Sequence, residues 1–444
     1  MYIERSIDKA LLDWKNRSNH KPLLLRGARQ VGKSTAVRHL GEQFEHYIEA
    51  NFEKNAALET LFTSNLKIDE IVSGIGSIYN TPIISGKTLL FLDEVQLCPQ
   101  AIHNLWFFKE DMPDLHVVAA GSLLELTLKE MPSFGVGRIR SLYLYPLSFD
   151  EFLVATGRSM WIDAKRQASP SKPLIQALHE PLTQAFRTFL MTGGMPASVV
   201  AWIETKDYLV CQEELQDIAD SYYDDFGKYN KKVSSDLLRD VLRSVVMQIG
   251  NKFVYSQVEG NYSIYEVKKA LTLLCHAGLI YKVQHTAANG LPLGAEINKK
   301  FQKYIILDSG ILLYLLNMEA NGAQEIKQDI LTATAADLVN KGSLTEMVAG
   351  LELIKYNNTK CRPELFYWVN TDKGTTSEVD YILSRDMKVL PMEVKSGTSG
   401  KMKSLRLFMQ KKQLTRAIRC SMENFSRLEN DGIDIIPLYA ISNI

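Results

Sequence analysis

Gly27-Ala28-Arg29-Gln30-Val31-Gly32-Lys33-Ser34-Thr35, GARQVGKST, directly follows the apolar run LLLR and precedes a helix-forming stretch. Its two glycines, lysine and hydroxyl fit the spacing GxxxxGK[ST] of a phosphate-binding loop. The chemistry explains the residue types. Gly27 and Gly32 let the backbone turn so that successive N–H groups from Ala28, Arg29, Gln30 and Val31 point at phosphate oxygens. Lys33 then neutralises the β- and γ-phosphates, Ser34 supplies a hydroxyl ligand for Mg²⁺, and Thr35 continues into the helix. The expected ligands are ATP and Mg²⁺.

Outward from this loop, the apolar runs KPLLLRG, HYIEANF, TLLFLDE, LHVVAAGS and IRSLYLYPLSF alternate with helix-length segments between Lys21 and Phe149. Continuous apolar strands separated by helices indicate an α/β domain with a parallel sheet covered on both faces. TLLFLDEVQ delivers Asp93 and Glu94 to the carboxyl edge of a strand, where ligands sit in such sheets. Asp93 is expected in the Mg²⁺ shell and Glu94 as the group that orients the attacking water. That acidic pair argues for a nucleotide hydrolase over a small-molecule kinase. Ser122 ends the run LHVVAAGS and reads either as a γ-phosphate sensor or as a helix cap. Arg138 and Arg140 follow in GVGRIR and read either as solvated surface residues or, Arg138 first, as a finger toward a neighbouring subunit's nucleotide in a homo-oligomer.

The 444 residues suggest two to three domains, and 51 basic against 51 acidic residues exclude polyanion binding by net charge alone. With 46% hydrophobic and 23% charged residues, neither disorder nor a fibre is expected. Five scattered cysteines without zinc-type spacing read as reduced thiols. The charged start MYIERSIDKALLDWKNR is unlike a signal peptide, and no apolar run approaches about 18 residues, so a cytoplasmic protein without membrane association is expected.

The expected divisions are an ATPase domain over 1–155, a helical lid or linker over 156–233, a winged helix over 234–308 and a third α/β unit over 309–444. KRQASPSKP reads as a loop and GGMP (Gly193–Pro196) as a sharp break. Ser263 and Glu266 form a capping box for a helix that stops at Gly278. LIYKVQH and KYIIL around a polar loop suit a wing. Between Lys228 and Lys303 there are twelve Lys/Arg against five Asp/Glu, a local excess fit for nucleic acid. Tyr262, Tyr265, Lys268 and Lys269 lie near the helix start that reads a groove in helix-turn-helix domains, although such domains also pack against ATPase neighbours.

In EVDYILSRDMKVLPMEVKSG, two apolar strands flank a turn at SRDMK. Glu393 and Lys395 share a strand face, and Asp380 on the partner strand can join them. Two carboxylates beside an ammonium suit a Mg²⁺-dependent phosphodiesterase: Asp380 and Glu393 fix the metal, and Lys395 orients a hydroxide. A solvated strand face gives the same pattern. Glu346 is a candidate fourth group, and seven basic residues between Lys401 and Arg419, with no acid among them, suit a phosphate track or a solvated helix.

Together GARQVGKST, LFLDEVQ, VGRIRSLYLYPLSFDEF, GGMP, YIILDSGIL and EVDYI with MEVKSG resemble bacterial and archaeal AAA-type ATP-binding proteins that join a P-loop ATPase to a C-terminal domain of unknown function. The resemblance spans almost the whole chain. It implies an AAA-like ATPase domain, a winged helix and a C-terminal fold similar to PD-(D/E)xK restriction nucleases. By position, Lys33, Ser34, Asp93 and Glu94 match the ATPase motifs, and Asp380, Glu393 and Lys395 the nuclease-type motif. Glu378-Val379-Asp380 stands where that motif has Pro-Asp. The expected activity is Mg-ATP hydrolysis coupled to a nucleic-acid-binding, nuclease-like half, with DNA the favoured partner. The alternative is a nucleotide-controlled switch or scaffold whose nuclease-like domain is inactive.

Overall fold

The structure is a computed structural model that describes residues 2–121, 124, 128, 137–229, 233–321, 342–357, 359–360, 362–370, 377–397 and 402–444. It divides into one unit of 1–145 with 276–278 and 358–362, and a second of 146–275, 279–357 and 363–444. Two expected residues, Ser122 and Lys401, lie outside the described residues.

In the first unit, β1 (Leu23–Arg26), β2 (His46–Asn51), β3 (Thr88–Asp93), β4 (His116–Ala120) and β5 (Arg140–Tyr143) form an all-parallel sheet in the order β2-β3-β4-β1-β5. Every residue of β3 and β4 is buried, as apolar runs covered on both faces must be. One core cluster joins Leu90, Leu92, Val117 and Ala119 to Ile71, Ile75, Ile102 and Phe108 of the covering helices. Helix α1 (Ser6–Lys15) precedes the sheet, and α2 (Lys33–Gly41) follows β1 through the glycine loop. The carboxyl ends of β1 and β3 are therefore the places from which the loop and Asp93 emerge.

The second unit carries the remaining helices and an eight-stranded mixed sheet, β12-β13-β11-β10-β9-β8-β6-β7. Its strands are β6 (Ile280–Thr286), β7 (Ile297–Ile306), β8 (Leu365–Val369), β9 (Glu378–Arg385), β10 (Lys388–Val394), β11 (Ala417–Ser421), β12 (Ser426–Leu428) and β13 (Ile433–Pro437). The hairpin β6–β7, read from sequence as a wing, is the edge of this sheet: β6 pairs in parallel with β8 through Val283, Gln284 and His285. That pairing occupies one backbone edge of β6 with a strand far later in the chain, which local sequence cannot reveal. β9 and β10 meet through Asp386 and Met387, both with positive φ, as a two-residue hairpin loop requires. The helix Lys403–Lys412 crosses over to bring β11 parallel to β10.

Two expected breaks occur as read. Ser263 and Glu266 bond reciprocally, and the helix Ile264–Ala277 stops at Gly278 (φ 75°). At GGMP, Gly193 has φ 70°, and an added Cβ would lie 2.1 Å from Asp308 Oδ1. The buried Asp308 carboxylate accepts from the N–H groups of Gly194 at 2.6 Å, Gly310 at 2.9 Å and Ile311 at 3.2 Å, tying GGMP to LDSG. Among the described residues, no helix is long and apolar enough to cross a membrane.

Candidate functional site

The first cluster stands at the carboxyl edge of the parallel sheet. Gly27 (φ 150°), Gln30 (φ 64°) and Gly32 (φ 95°) turn the loop between β1 and α2. A Cβ on Gly27 would lie 2.2 Å from Leu144 O, so this position tolerates no side chain. Ala28, Arg29 and Val31 complete the loop, and Thr35 is exposed in the first turn of α2. Lys33 is only 8% exposed, and its Nζ donates to Gly27 O at 3.0 Å and Ala28 O at 2.7 Å. Burial lowers its pKa to about 8, against the opposing pull of Glu94 and Asp93.

Ser34 Oγ lies 3.2 Å from Asp93 Oδ2, and Asp93 also accepts from Asn51 Nδ2 at 3.2 Å and the Glu94 N–H at 3.1 Å. Burial, then the Glu94 charge, raises the Asp93 pKa. A hydroxyl and a carboxylate brought together are the hard oxygen donors that Mg²⁺ takes, so these residues fit that ion. Glu94 sits at φ 52°, and the Gln96 side-chain amide donates to its Oε2. Gln96 is itself fixed against Gly121, where a Cβ would meet its Oε1.

Three of these residues were not read from sequence. Asn51 ends β2 in register with Asp93, a polar residue at a strand's carboxyl edge that could have been noticed. Gln96 follows the acidic pair by two. Arg5 donates to Val31 O at 3.1 Å and Tyr145 O at 2.7 Å, bracing the loop from before α1; its sequence separation hides it. Arg138 pairs with Glu110 at 3.0 Å and lies over the Trp106 ring at 4.2 Å, and Arg140 opens β5.

The second cluster belongs to the second unit. Carboxylate oxygens of Glu346, on the helix Ser343–Lys355, and of Glu378 and Asp380, on β9, lie within 4.8 Å of one another. Asp380 Oδ2 accepts the Val394 N–H at 2.7 Å, and Lys395 Nζ lies 2.6 Å from Glu393 Oε1. Asp380, Glu393 and Lys395 are thus brought together, with Glu346 beside them. Lys303, from β7, adds an ammonium 2.9 Å from Glu346 Oε1 and in contact with Glu378 Oε1. Burial raises Glu346 to about 8 and Glu393 to about 7, and raises Asp380 as well. Burial opposes the Lys303 ammonium, but the charges of Glu346, Glu378 and Asp380 outweigh it and hold its pKa above the usual lysine range.

The basic stretch after β10 spends much of its charge internally. Arg406 pairs with Asp431 at 2.6 Å, Arg416 with Asp434 at 3.0 Å and Arg419 with Glu423 at 3.5 Å. Tyr262 donates to Asp240, whereas Tyr265 is 76% exposed.

With the loop, Asp93 and the parallel sheet in place, residues 19–153 match the model of the AAA domain family. The chain carries an AAA domain. Residues 183–322 and 341–441 match two domains of unknown function, DUF8612 and DUF4143. The chain is similar to the Walker-type ATPase of Pyrococcus abyssi, with 15% identity and a TM-score of 0.46 over 71% of this chain and 96% of that one. The Orc1 protein of Aeropyrum pernix, solved in complex with DNA, aligns at 10% identity with a TM-score of 0.29, covering 76% and 93%. Unliganded Pif1 from a Bacteroides species gives 14% and 0.22, covering 41% and 52%. No curated protein matches the chain.

Proposed function

We propose that the AAA domain hydrolyses Mg-ATP and that this turnover drives a nucleic-acid-handling second unit. One observation carries the hydrolase reading: Lys33, Ser34, Asp93 and Glu94 converge at one edge of a single parallel sheet. Loop N–H groups and Lys33 hold the phosphates, Ser34 and Asp93 hold the ion, and Glu94, steadied by Gln96, orients the attacking water. Magnesium, when bound, neutralises charge developing on the phosphoryl oxygens. In a homo-oligomer Arg138 is the residue assigned to reach a neighbour's nucleotide. Phosphate-release assays test this. Lys33→Ala and Glu94→Gln should each abolish turnover, and Arg138→Ala should lower it while leaving nucleotide affinity unchanged. Full turnover in Glu94→Gln would sink the assignment.

For the second unit, the basic excess between Lys228 and Lys303 supports DNA contact, and the grouping of Asp380, Glu393 and Lys395 supports a Mg²⁺-dependent nuclease-like site held by Asp380 and Glu393. Nicking of plasmid DNA should require Mg²⁺ and disappear in Asp380→Ala. A second reading, a nucleotide-controlled switch without cleavage, is favoured by the Lys303 ammonium already seated between two of the carboxylates. It predicts a change of assembly size between ADP and ATP by light scattering, with no nicking. Free thiols at Cys98, Cys211, Cys275 and Cys420 suit a cytoplasmic setting in either reading.

A further inference from the structure

Lys303 is 2% exposed although it sits on β7, an edge strand whose earlier residues Lys299 and Lys300 face solvent. Its side chain points into the sheet's acidic face, over the Tyr367 ring at 5.1 Å, and ends between Glu346 and Glu378. A lysine is buried this way only where its charge is paired. The cluster also holds an unmet demand. Glu393 is 5% exposed, and among the described residues its Oε2 has no hydrogen-bond partner while Oε1 takes Lys395. Asp380 and Glu378 stand close enough for their charges to act on Glu393. Four carboxyl groups thus share two ammonium groups, Lys303 at Glu346 and Glu378 and Lys395 at Glu393.

A hard divalent cation takes carboxylate oxygens at about 2.0–2.6 Å. It cannot share Glu346 Oε1 and Glu378 Oε1 with an ammonium that already contacts both. We propose that Lys303 is a resident cation occupying the place of a divalent ion between Glu346 and Glu378, so that this cluster accepts metal only on its Asp380–Glu393 side. The second half of that statement rests on the metal reading given above; the first does not. The consequence is a site limited to one ion where the carboxylates would otherwise suffice for two. Lys303 thereby selects one-metal over two-metal phosphodiester chemistry.

The test is Mn²⁺ titration followed by electron paramagnetic resonance on the full chain without nucleotide. Asp93→Asn is present throughout to silence the AAA site. Lys303→Met should bind one Mn²⁺ more than its parent, and adding Glu378→Gln should remove that ion. Lys303→Arg, which keeps the charge, should gain none. A parent that binds no ion beside a Lys303→Met that binds one supports the role of Lys303 and removes the Asp380–Glu393 metal reading. A folded Lys303→Met that gains no ion overturns the proposal. Should Lys303→Met fail to fold, the parent alone decides: a Mn²⁺ ion lost on Glu378→Gln overturns it, and the absence of any Glu378-dependent ion supports it.

Discussion

Replacing Lys33 with methionine should stabilise the nucleotide-free protein while destroying its response to ATP. Burial holds the Lys33 pKa at about 8, against an ordinary value of 10.5. At neutral pH the charged form therefore costs about 3 kcal/mol of stability. The variant loses the donors to Gly27 O and Ala28 O, worth about 0.5–1.5 kcal/mol each, so a net gain of about 1–2 kcal/mol remains. In a domain of this size that is about 2–4 °C in Tm per kcal/mol. The unfolded chain binds more protons between pH 8 and 10.5, so the parent's stability rises across that window and its deficit against Lys33→Met closes. Scanning fluorimetry at pH 7 and pH 10, with and without Mg-ATP, reads all of this. At a hundredfold excess over Kd, ATP should add about 2.7 kcal/mol to the parent and nothing to the variant. A nucleotide-free Lys33→Met that melts below its parent at pH 7 refutes the reasoning.

Glu94→Gln should retain ATP binding by calorimetry and lose turnover at least about a hundredfold, since the proposed hydrolysis loses only the carboxylate that orients water. His116 is buried and held at about pKa 4 chiefly by burial. Its Nε2 lies 3.0 Å from Lys15 O, and among the described residues its Nδ1 has no hydrogen-bond partner to accept from a second N–H. Its contribution, up to about 3 kcal/mol, is present above pH 6.5 and lost as pH falls from 6.5 to 4. Urea unfolding should show that acid limb and its flattening in His116→Asn. Lys165 is fully buried against Asp150, so Lys165→Met should cost about 3–5 kcal/mol and Lys165→Met with Asp150→Asn markedly less, by denaturant midpoints.

The grouping of the glycine loop with Asp93 and Glu94 was legible because its determinants are local. Nine consecutive residues specify the loop, and one apolar strand carries Asp93 and Glu94 to its end. Asp380, Glu393 and Lys395 were legible for a similar reason, being grouped by one hairpin whose turn is visible in SRDMK. The Lys303 contribution was not, because its partners lie 43 and 75 residues away on other elements. Only the strand order decides that β7 joins the same sheet as β9. Strand order likewise adds to the wing-like hairpin β6–β7 a pairing with β8 that the local sequence does not show. Arg5 illustrates the limit from the other end of the chain: nothing near it in sequence indicates that its guanidinium braces the phosphate loop.

The parallel ladder between β6 and β8 has a mechanical meaning. Were the polypeptide severed between these strands, the fragments would stay stitched side by side, and a tug on the hairpin would load several rungs at once. A pull along β6 is carried by its backbone pairing to Leu365, Phe366 and Tyr367 of β8, the strand that pairs in turn with β9.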